Sequence, residues 1–137
     1  SGQTPRPIYD AAGLYIKSMC ETTHVLNYNE AVAYCRKYGM QLFAMTTKEE
    51  YVQGTNWLKK IHGTGTGTHN YVNGVRESGK WYVYNPSKKP LYSGAIPVGT
   101  SPGDGSGDCL KMRGDGSGIK LYSTSCSSDR RWSFCEV

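Results

Sequence analysis

The chain has 137 residues, which is enough for one domain with a buried core but not for two. Its formal net charge is +5, yet the basic residues form separated doublets and no single stripe, so we expect no nucleic-acid partner. No run approaches the roughly 18 apolar residues that cross a bilayer, so we expect no membrane insertion. The doublets are Arg36 and Lys37, Lys59 and Lys60, Lys88 and Lys89, and Arg130 and Arg131.

Residues 1–11 are mostly polar and contain Pro5 and Pro7, which predicts an N-terminal tether. The domain proper is predicted to occupy residues 12–137. It opens on a short predicted strand in GLYIKS, residues 13–18.

The first predicted helix begins at Asn27, which with Glu30 has the spacing of a capping box. Gly39 supplies the stop signal. The residues that recur on one face of this helix are Ala31, Tyr34, Cys35 and Tyr38.

The second predicted helix begins at Thr47, where Glu50 repeats the capping pattern, and ends near Ile61. Val52 and Leu58, together with Ile61, are predicted to face inward. Residues 62–70, HGTGTGTHN, are predicted to form a mobile loop, because glycine is unfavourable in helices and packs nothing in strands.

A hairpin is predicted next, with strands at residues 71–75 and 80–84 and a turn at 77–79. Residues 86–107 carry four prolines and little alternation, which predicts a long irregular excursion. Ordered loops of that length are more often functional than idle. Three short strands are then predicted in the segments DCLKM, IKLYSTSC and RRWSFCEV.

The five cysteines predict an extracellular scaffold closed by disulfides. No CxxC pair and no HxxxH spacing occurs, so we expect no zinc site held by sulfur. Cys35 lies in the first predicted helix, whereas Cys109, Cys126 and Cys135 lie close together further along the chain. These spacings leave the pairing open.

Taken in order, EAVAYC, TTKEE, the hairpin, GDCLKM, STSC and WSFCEV resemble the C-type lectin-like domain over about residues 12–137. The resemblance implies an α+β fold with two small antiparallel sheets, two flanking helices, a long irregular loop that carries the ligand site, and two core disulfides. The implied bridges join Cys35 to Cys135 and Cys109 to Cys126.

Cys20 has no partner in that pattern. An odd cysteine in a secreted chain suggests pairing between molecules or a reactive thiol, so we expect a disulfide-linked dimer or partner through Cys20. A buried or capped free thiol and an unexpected internal bridge are the alternatives.

Sugar-binding members of the family hold calcium with a proline-centred triplet in the long loop and a WND triplet before the third cysteine. Here the first position falls near residues 99–101, and the second on Leu121, Tyr122 and Ser123, which offer no carboxylate. Since calcium takes six to eight oxygen ligands, several of them carboxylate, we expect no cofactor and calcium-independent binding. A calcium site rebuilt from Asp104, Asp108 and Asp115 is the alternative.

The family's WIGL motif is altered here to Val72, Asn73, Gly74 and Val75, and we expect Asn73 to point outward. Arg113, Gly114 and Asp115 spell RGD in a predicted hairpin tip. The simplest interpretation is a solvated turn, with an adhesion ligand as the alternative.

The chain shows no catalytic constellation. His24, His62 and His69 are scattered and lie near no nucleophile motif, so we expect surface histidines and no enzyme. The tryptophans, above all Trp81 and Trp132 in predicted strands, are expected to pack in the core.

The sequence therefore predicts a non-enzymatic, secreted recognition module, most similar to invertebrate lectins of innate immunity that recognise surface patterns. It would present residues 85–107, with the turn at 113–118 alongside, to a glycan or protein at a cell or microbial surface. Hydrogen bonding and aromatic stacking would bind the ligand, and the lysines would attract acidic groups. The candidate ligand-binding residues are Asn85, Lys88, Lys89, Tyr92, Thr100, Ser101, Asp104 and Tyr122, with Tyr82 and Tyr84 as further contacts.

Overall fold

The structure is a computed structural model that describes residues 6–95, 97 and 107–137. Its fold class is α+β, as the sequence predicts. None of the helices in these ranges is long and apolar enough to cross a bilayer. The elements are β1 (Arg6–Tyr9), β2 (Tyr15–Glu21), α1 (Tyr28–Lys37), β3 (Gln41–Leu42), α2 (Lys48–His62), β4 (His69–Glu77), β5 (Lys80–Tyr84), β6 (Lys88–Pro90), a 3₁₀ turn (Ser93–Ala95), β7 (Cys109–Gly114), β8 (Ile119–Thr124) and β9 (Trp132–Glu136).

Both helices begin at the predicted capping boxes. The Asn27 side chain accepts a hydrogen bond from the Glu30 backbone N–H at 2.7 Å, and the Glu30 carboxylate accepts one from the Asn27 N–H at 3.0 Å. Thr47 and Glu50 form the same reciprocal pair at the start of α2. These bonds satisfy backbone donors that the first turn leaves without an intrahelical partner.

The buried faces of the helices are narrower than predicted. Ala31 and Cys35 of α1 are buried, but Tyr38 is exposed and packs on Tyr34, with ring centroids 5.0 Å apart. In α2, Leu58 is buried as expected whereas Val52 is exposed.

The strands form two antiparallel ladders joined by one parallel contact. One ladder contains β1, β2, β9 and β3, and the other contains β6, β5, β4, β7 and β8. Asn70 of β4 lies beside Trp132 of β9 in the parallel pairing that links them. The resulting sheet is mixed, although both of its ladders are antiparallel.

Two proline-containing segments that the sequence predicts to be irregular contain strands, and His69 and Asn70 of the predicted mobile loop belong to β4. Residues 6–9, assigned to the tether, form β1, in which Ile8 is only 1% exposed and Arg6 lies opposite Met19 of β2. Residues 88–90 of the predicted excursion form β6, which pairs with β5. Prolines in edge strands explain both errors, because such strands can form without the missing N–H. Thr100, Ser101 and Asp104 lie outside the described residues.

The two disulfides implied by the family resemblance are confirmed. Cys35 and Cys135 join α1 to β9 with a Cα–Cα distance of 5.7 Å, and Cys109 and Cys126 join β7 to the segment after β8 at 5.3 Å. The first bridge closes a loop of about 100 residues, worth roughly 4.7 kcal/mol in the chain-entropy model.

Cys20 is a buried free thiol. Its side chain is 2% exposed, and its sulfur lies 3.6 Å from the Met40 sulfur. A thiol in this position cannot reach a second molecule while the domain is folded. The expectation of a disulfide-linked dimer or partner through Cys20 is therefore corrected in favour of the buried-thiol alternative.

Asn73 points inward, contrary to the sequence-based expectation. It is 6% exposed, and its amide nitrogen donates to the carbonyls of Leu42 at 3.1 Å and Tyr84 at 2.8 Å. Its amide oxygen accepts from the Tyr84 N–H at 3.0 Å. The register between β4 and β7 shifts near this residue, so the side chain completes hydrogen bonding that a regular ladder would supply.

A buried charge cluster lies between the ladders and α2. The Lys17 ammonium is 2.7 Å from a Glu50 carboxylate oxygen, 2.9 Å from one of Glu136, and donates to the Ala44 carbonyl at 2.8 Å. Burial by itself would raise the pKa of Glu50. Hydrogen bonds from Lys17 and Thr46 outweigh that effect and hold the pKa below its ordinary value.

Candidate functional site

Four of the polar and aromatic side chains near the predicted ligand site share one face of the β4–β5–β6 ladder. The Lys88 ammonium lies 2.8 Å from a Glu77 carboxylate oxygen and 4.1 Å from the centre of the Tyr82 ring. The Tyr84 hydroxyl donates to the other Glu77 oxygen at 2.7 Å. We call Glu77, Tyr82, Tyr84 and Lys88 the β5–β6 strip.

The strand register places these residues together. Tyr84 lies opposite Lys88, and Tyr82 opposite Pro90, so side chains two residues apart on β5 meet the same face of β6. Hydrogen bonds from Lys88 and then Tyr84 lower the pKa of Glu77, and the bond to Glu77 raises the pKa of Lys88. The strip is therefore an exposed ion pair supported by two phenol rings.

A groove of about 140 Å³ adjoins the strip at Tyr84. We call it the α1 groove, because it lies between that helix and the β4–β5 hairpin. Its walls combine apolar side chains such as Val32 and Val75 with the polar groups of Arg36 and Gln41. An apolar recess beside an aromatic ring and several polar groups is the usual composition of a small-ligand site.

The other predicted ligand residues that the structure describes do not join the strip. The Asn85 amide nitrogen donates to the Glu136 carboxylate at 2.8 Å, and its oxygen accepts from Gln41, which links the end of β5 to β9. Tyr92 packs its ring 5.9 Å from that of Tyr51 on α2. Lys89 is exposed and lies opposite the buried Val83, on the other face of the ladder from the strip.

Tyr122 lies on β8, where the Arg113 guanidinium sits 5.2 Å from its ring centre. It is paired in register with Lys111 of β7. Its neighbours Leu121 and Ser123 are buried, so this segment forms part of the sheet.

The two described carboxylates of the alternative calcium site, Asp108 and Asp115, have other partners. Asp108 lies 3.1 Å from the Arg76 guanidinium. Asp115 accepts hydrogen bonds from the backbone N–H groups of Ser117 at 2.9 Å and Gly118 at 2.8 Å, and these bonds hold its pKa well below its usual range. The described ranges contain no group of three or more His, Cys, Asp or Glu residues arranged to hold a metal.

The RGD tripeptide does not form a hairpin tip. Arg113 and Gly114 belong to β7, and a Cβ on Gly114 would lie 2.2 Å from the Gly65 carbonyl oxygen. Asp115 starts the turn, and its carboxylate lies 3.2 Å from the Lys120 ammonium. Gly114 is therefore packed against the loop that contains Thr64 and Gly65, and Asp115 is the one residue of the tripeptide in the turn, so the expectation that the whole tripeptide forms a solvated tip is corrected.

One tryptophan and one histidine have exposures opposite to those expected. Trp132 is 38% exposed, whereas Trp57 is buried and stacks on Phe134 with ring centres 5.1 Å apart. His69 is 9% exposed instead of lying on the surface. Both residues lie where β4 and β9 begin, and the pairing that brings these strand starts together is not visible in local sequence patterns.

No protein-family model matches the chain, and neither does any curated protein. Solved structures do resemble it. Ovocleidin-17 of the Gallus gallus eggshell shares 17% identity at a TM-score of 0.67, with 98% of both chains covered. Human lithostathine shares 12% identity at a TM-score of 0.69, covering 88% of this chain and 82% of that one.

The C-type lectin domain of murine dendritic cell inhibitory receptor 2, solved with an N-glycan, is also similar. It shares 15% identity at a TM-score of 0.65, with 88% of this chain and 90% of that chain covered. At these identities the likeness establishes the architecture alone.

Proposed function

We propose that this protein, which has the C-type lectin-like fold, is a secreted, non-enzymatic recognition module that binds a surface glycan or protein without calcium. The ligand would contact the β5–β6 strip and the α1 groove, next to the segment of residues 85–107. The observation that carries this proposal is the grouping of Glu77, Tyr82, Tyr84 and Lys88 on one exposed ladder face.

The strip offers both kinds of contact that a sugar or a polar peptide requires. Its carboxylate accepts from hydroxyl or amide groups, its ammonium donates, and the phenol rings present apolar faces. The Lys88 side chain lies over the Tyr82 ring, so a ligand that displaces it would find a preformed stacking surface.

Calcium independence is supported by the positions of the acidic residues. Asp108 pairs with Arg76. Asp115 accepts hydrogen bonds from the turn that it stabilises and pairs with Lys120. Recruiting either carboxylate to a metal would break contacts that the fold uses. Ser123, in the family's second calcium-binding triplet, is buried in β8.

Secretion is supported by the two disulfides, since such bridges persist mainly in oxidising compartments. Recognition of microbial or cellular surfaces in innate immunity is the role that we assign to such a module.

A glycan array run with calcium and again with a chelator tests the proposal. We expect equal binding in both conditions and at least about a tenfold loss in Tyr84→Ala, which removes a central aromatic contact. Tyr15→Ala is the matched control, because Tyr15 is another exposed tyrosine on a strand, outside the strip and the groove. Binding only with calcium, or full binding by Tyr84→Ala, would overturn the proposed mode, and a blank array would leave only the protein ligand.

A further inference from the structure

A second cleft, of about 240 Å³, opens where the parallel strands β4 and β9 begin. The end of α2 and the segment before α1 complete its walls. We call it the β4–β9 cleft. It shares no lining residue with the α1 groove. The lining residues used below are His62, His69, Asn70, Arg131 and Trp132.

Positive charge surrounds His69 from two sides. Lys111 and Arg113 approach from β7, and Arg131 approaches from the segment before β9. Asp129 is the carboxylate among them, 2.9 Å from the Arg131 guanidinium and 3.9 Å from the Lys111 ammonium. Among these four groups the cations outnumber the carboxylate, so the immediate surroundings of His69 are electropositive.

The ionisation of His69 is consistent with that field. Burial, and then the charges of Lys111 and Arg131, lower the pKa of His69 to about 4, so the ring is neutral at pH 7. Its Nε2 lies 2.9 Å from the Thr66 carbonyl oxygen and therefore carries the proton. Its Nδ1 has no hydrogen-bond partner among the described residues.

The cleft also contains an aromatic face and a second buried acceptor. The Asn70 amide nitrogen donates to the Glu21 carboxylate at 2.7 Å, whereas its oxygen is buried and has no partner within the described ranges. The same Glu21 carboxylate oxygen also lies 2.7 Å from the His62 Nε2. The Trp132 side chain is partly exposed beside Asn70. Buried acceptors without a partner are few in native structures, and each calls for an explanation such as an ordered water, an ion or a ligand.

We propose that the β4–β9 cleft binds one acidic sugar unit, with its carboxylate or sulfate near Arg131 and His69 and its ring on Trp132. The cleft is smaller than the roughly 300–1,000 Å³ of pockets for drug-sized ligands, which matches a single sugar. This inference is independent of ligand binding at the β5–β6 strip.

Binding couples to a proton. A bound anion offsets the charges of Lys111, Arg113 and Arg131, and so raises the pKa of His69. The protonated Nδ1 then donates to the anion. Affinity therefore increases as the pH falls from 7.5 to 5.5.

Calorimetric titration with methyl glucuronide, methyl glucoside and inorganic sulfate tests the proposal, with the Trp132 indole signal followed by NMR. We expect the glucuronide to bind at least tenfold tighter than either other compound, to shift the indole signal, and to bind tighter at pH 5.5. Arg131→Gln should weaken it at least tenfold. Lys59→Gln, which removes an exposed charge on α2 that does not line the cleft, should leave the affinity for the glucuronide unchanged.

Equal affinity for the glucoside would refute the anionic requirement, and equal affinity for sulfate would refute the sugar. Absence of binding by all three would refute the site. The Trp132 indole shift reports this cleft, whereas the array with Tyr84→Ala tests the β5–β6 strip, so failure at the two sites is distinguishable.

Discussion

Replacing Lys17 with methionine tests the buried charge cluster most directly. The ammonium is held 2.7 Å from Glu50 and 2.9 Å from Glu136, and all three side chains are less than a tenth exposed. Methionine preserves most of the volume but removes the cation from two buried carboxylates. Breaking a buried ion pair by removing one partner costs about 3–5 kcal/mol, so we expect a loss of that size in the free energy of unfolding.

For a domain of this size the loss corresponds to a fall of about 10–20 °C in Tm. Urea unfolding followed by circular dichroism, with the disulfides intact, measures it. Lys89→Met is the matched control, because Lys89 is exposed, and we expect a change within about 0.5 kcal/mol.

The pH dependence gives the sign of the effect. In the wild-type protein the pKa of Glu50 is lower than in the unfolded chain. The ionised carboxylate therefore stabilises the fold at a pH above the pKa of the unfolded chain, and this stabilisation is lost as the pH falls through the pKa of the folded protein. In Lys17→Met the buried Glu50 carboxylate lacks its cation and its pKa rises, so acid relieves the defect. The stability gap between the two proteins should narrow from pH 7 to pH 4. A loss below about 1 kcal/mol at pH 7, or a gap independent of pH, would refute the argument.

Three further predictions concern single buried side chains. Cys20 should remain unmodified by a thiol reagent in the native protein and react after denaturation, and the protein should run as a monomer on a non-reducing gel; rapid native labelling or a disulfide dimer would contradict its burial. Asn73→Ala should lower the unfolding free energy by about 2 kcal/mol in urea titrations, since it removes the side-chain partner of one buried and two partly buried backbone groups. An unchanged midpoint would show that water replaces the side chain. In the unfolded chain His69 takes up a proton near its ordinary pKa, whereas in the folded chain it does so only near its lowered pKa of about 4. The free energy of unfolding should therefore fall by up to about 3 kcal/mol as the pH drops across that interval, and His69→Gln should flatten this dependence. An equally steep pH profile in the variant would exclude His69 as the source.

The elements that sequence reasoning located correctly are those whose signals are local. The capping pairs at Asn27 and Thr47 need only residues three positions away, and both helices begin where these pairs predict. The hairpin of β4 and β5 likewise rests on a short turn between alternating runs. The two disulfides were implied by the order of several motifs and not by any single spacing.

The features that were missed depend on partners distant in sequence. β1 is a strand because Ile8 is buried and β2 lies alongside, which the nearby prolines conceal. Asn73 is polar in the core because irregular pairing there leaves backbone groups to satisfy. Trp132 and His69 meet at a cleft only because β4 and β9 run parallel, and that pairing has no local sequence signature. Of the predicted ligand residues, Lys88 lies beside Tyr82 and Tyr84, a grouping that strand register creates, whereas Asn85 contacts β9.

The composition of β1 and β6 also bears on how the molecule avoids self-association. These strands end the main path of the sheet, and each contains a proline, Pro7 in β1 and Pro90 in β6. Proline lacks the N–H that an incoming strand would need, and Lys88 and Lys89 add charge repulsion along β6. At these two sheet edges the protein therefore resists pairing with strands of other molecules. This property is useful for a domain whose edge strands would otherwise display unpaired peptide groups.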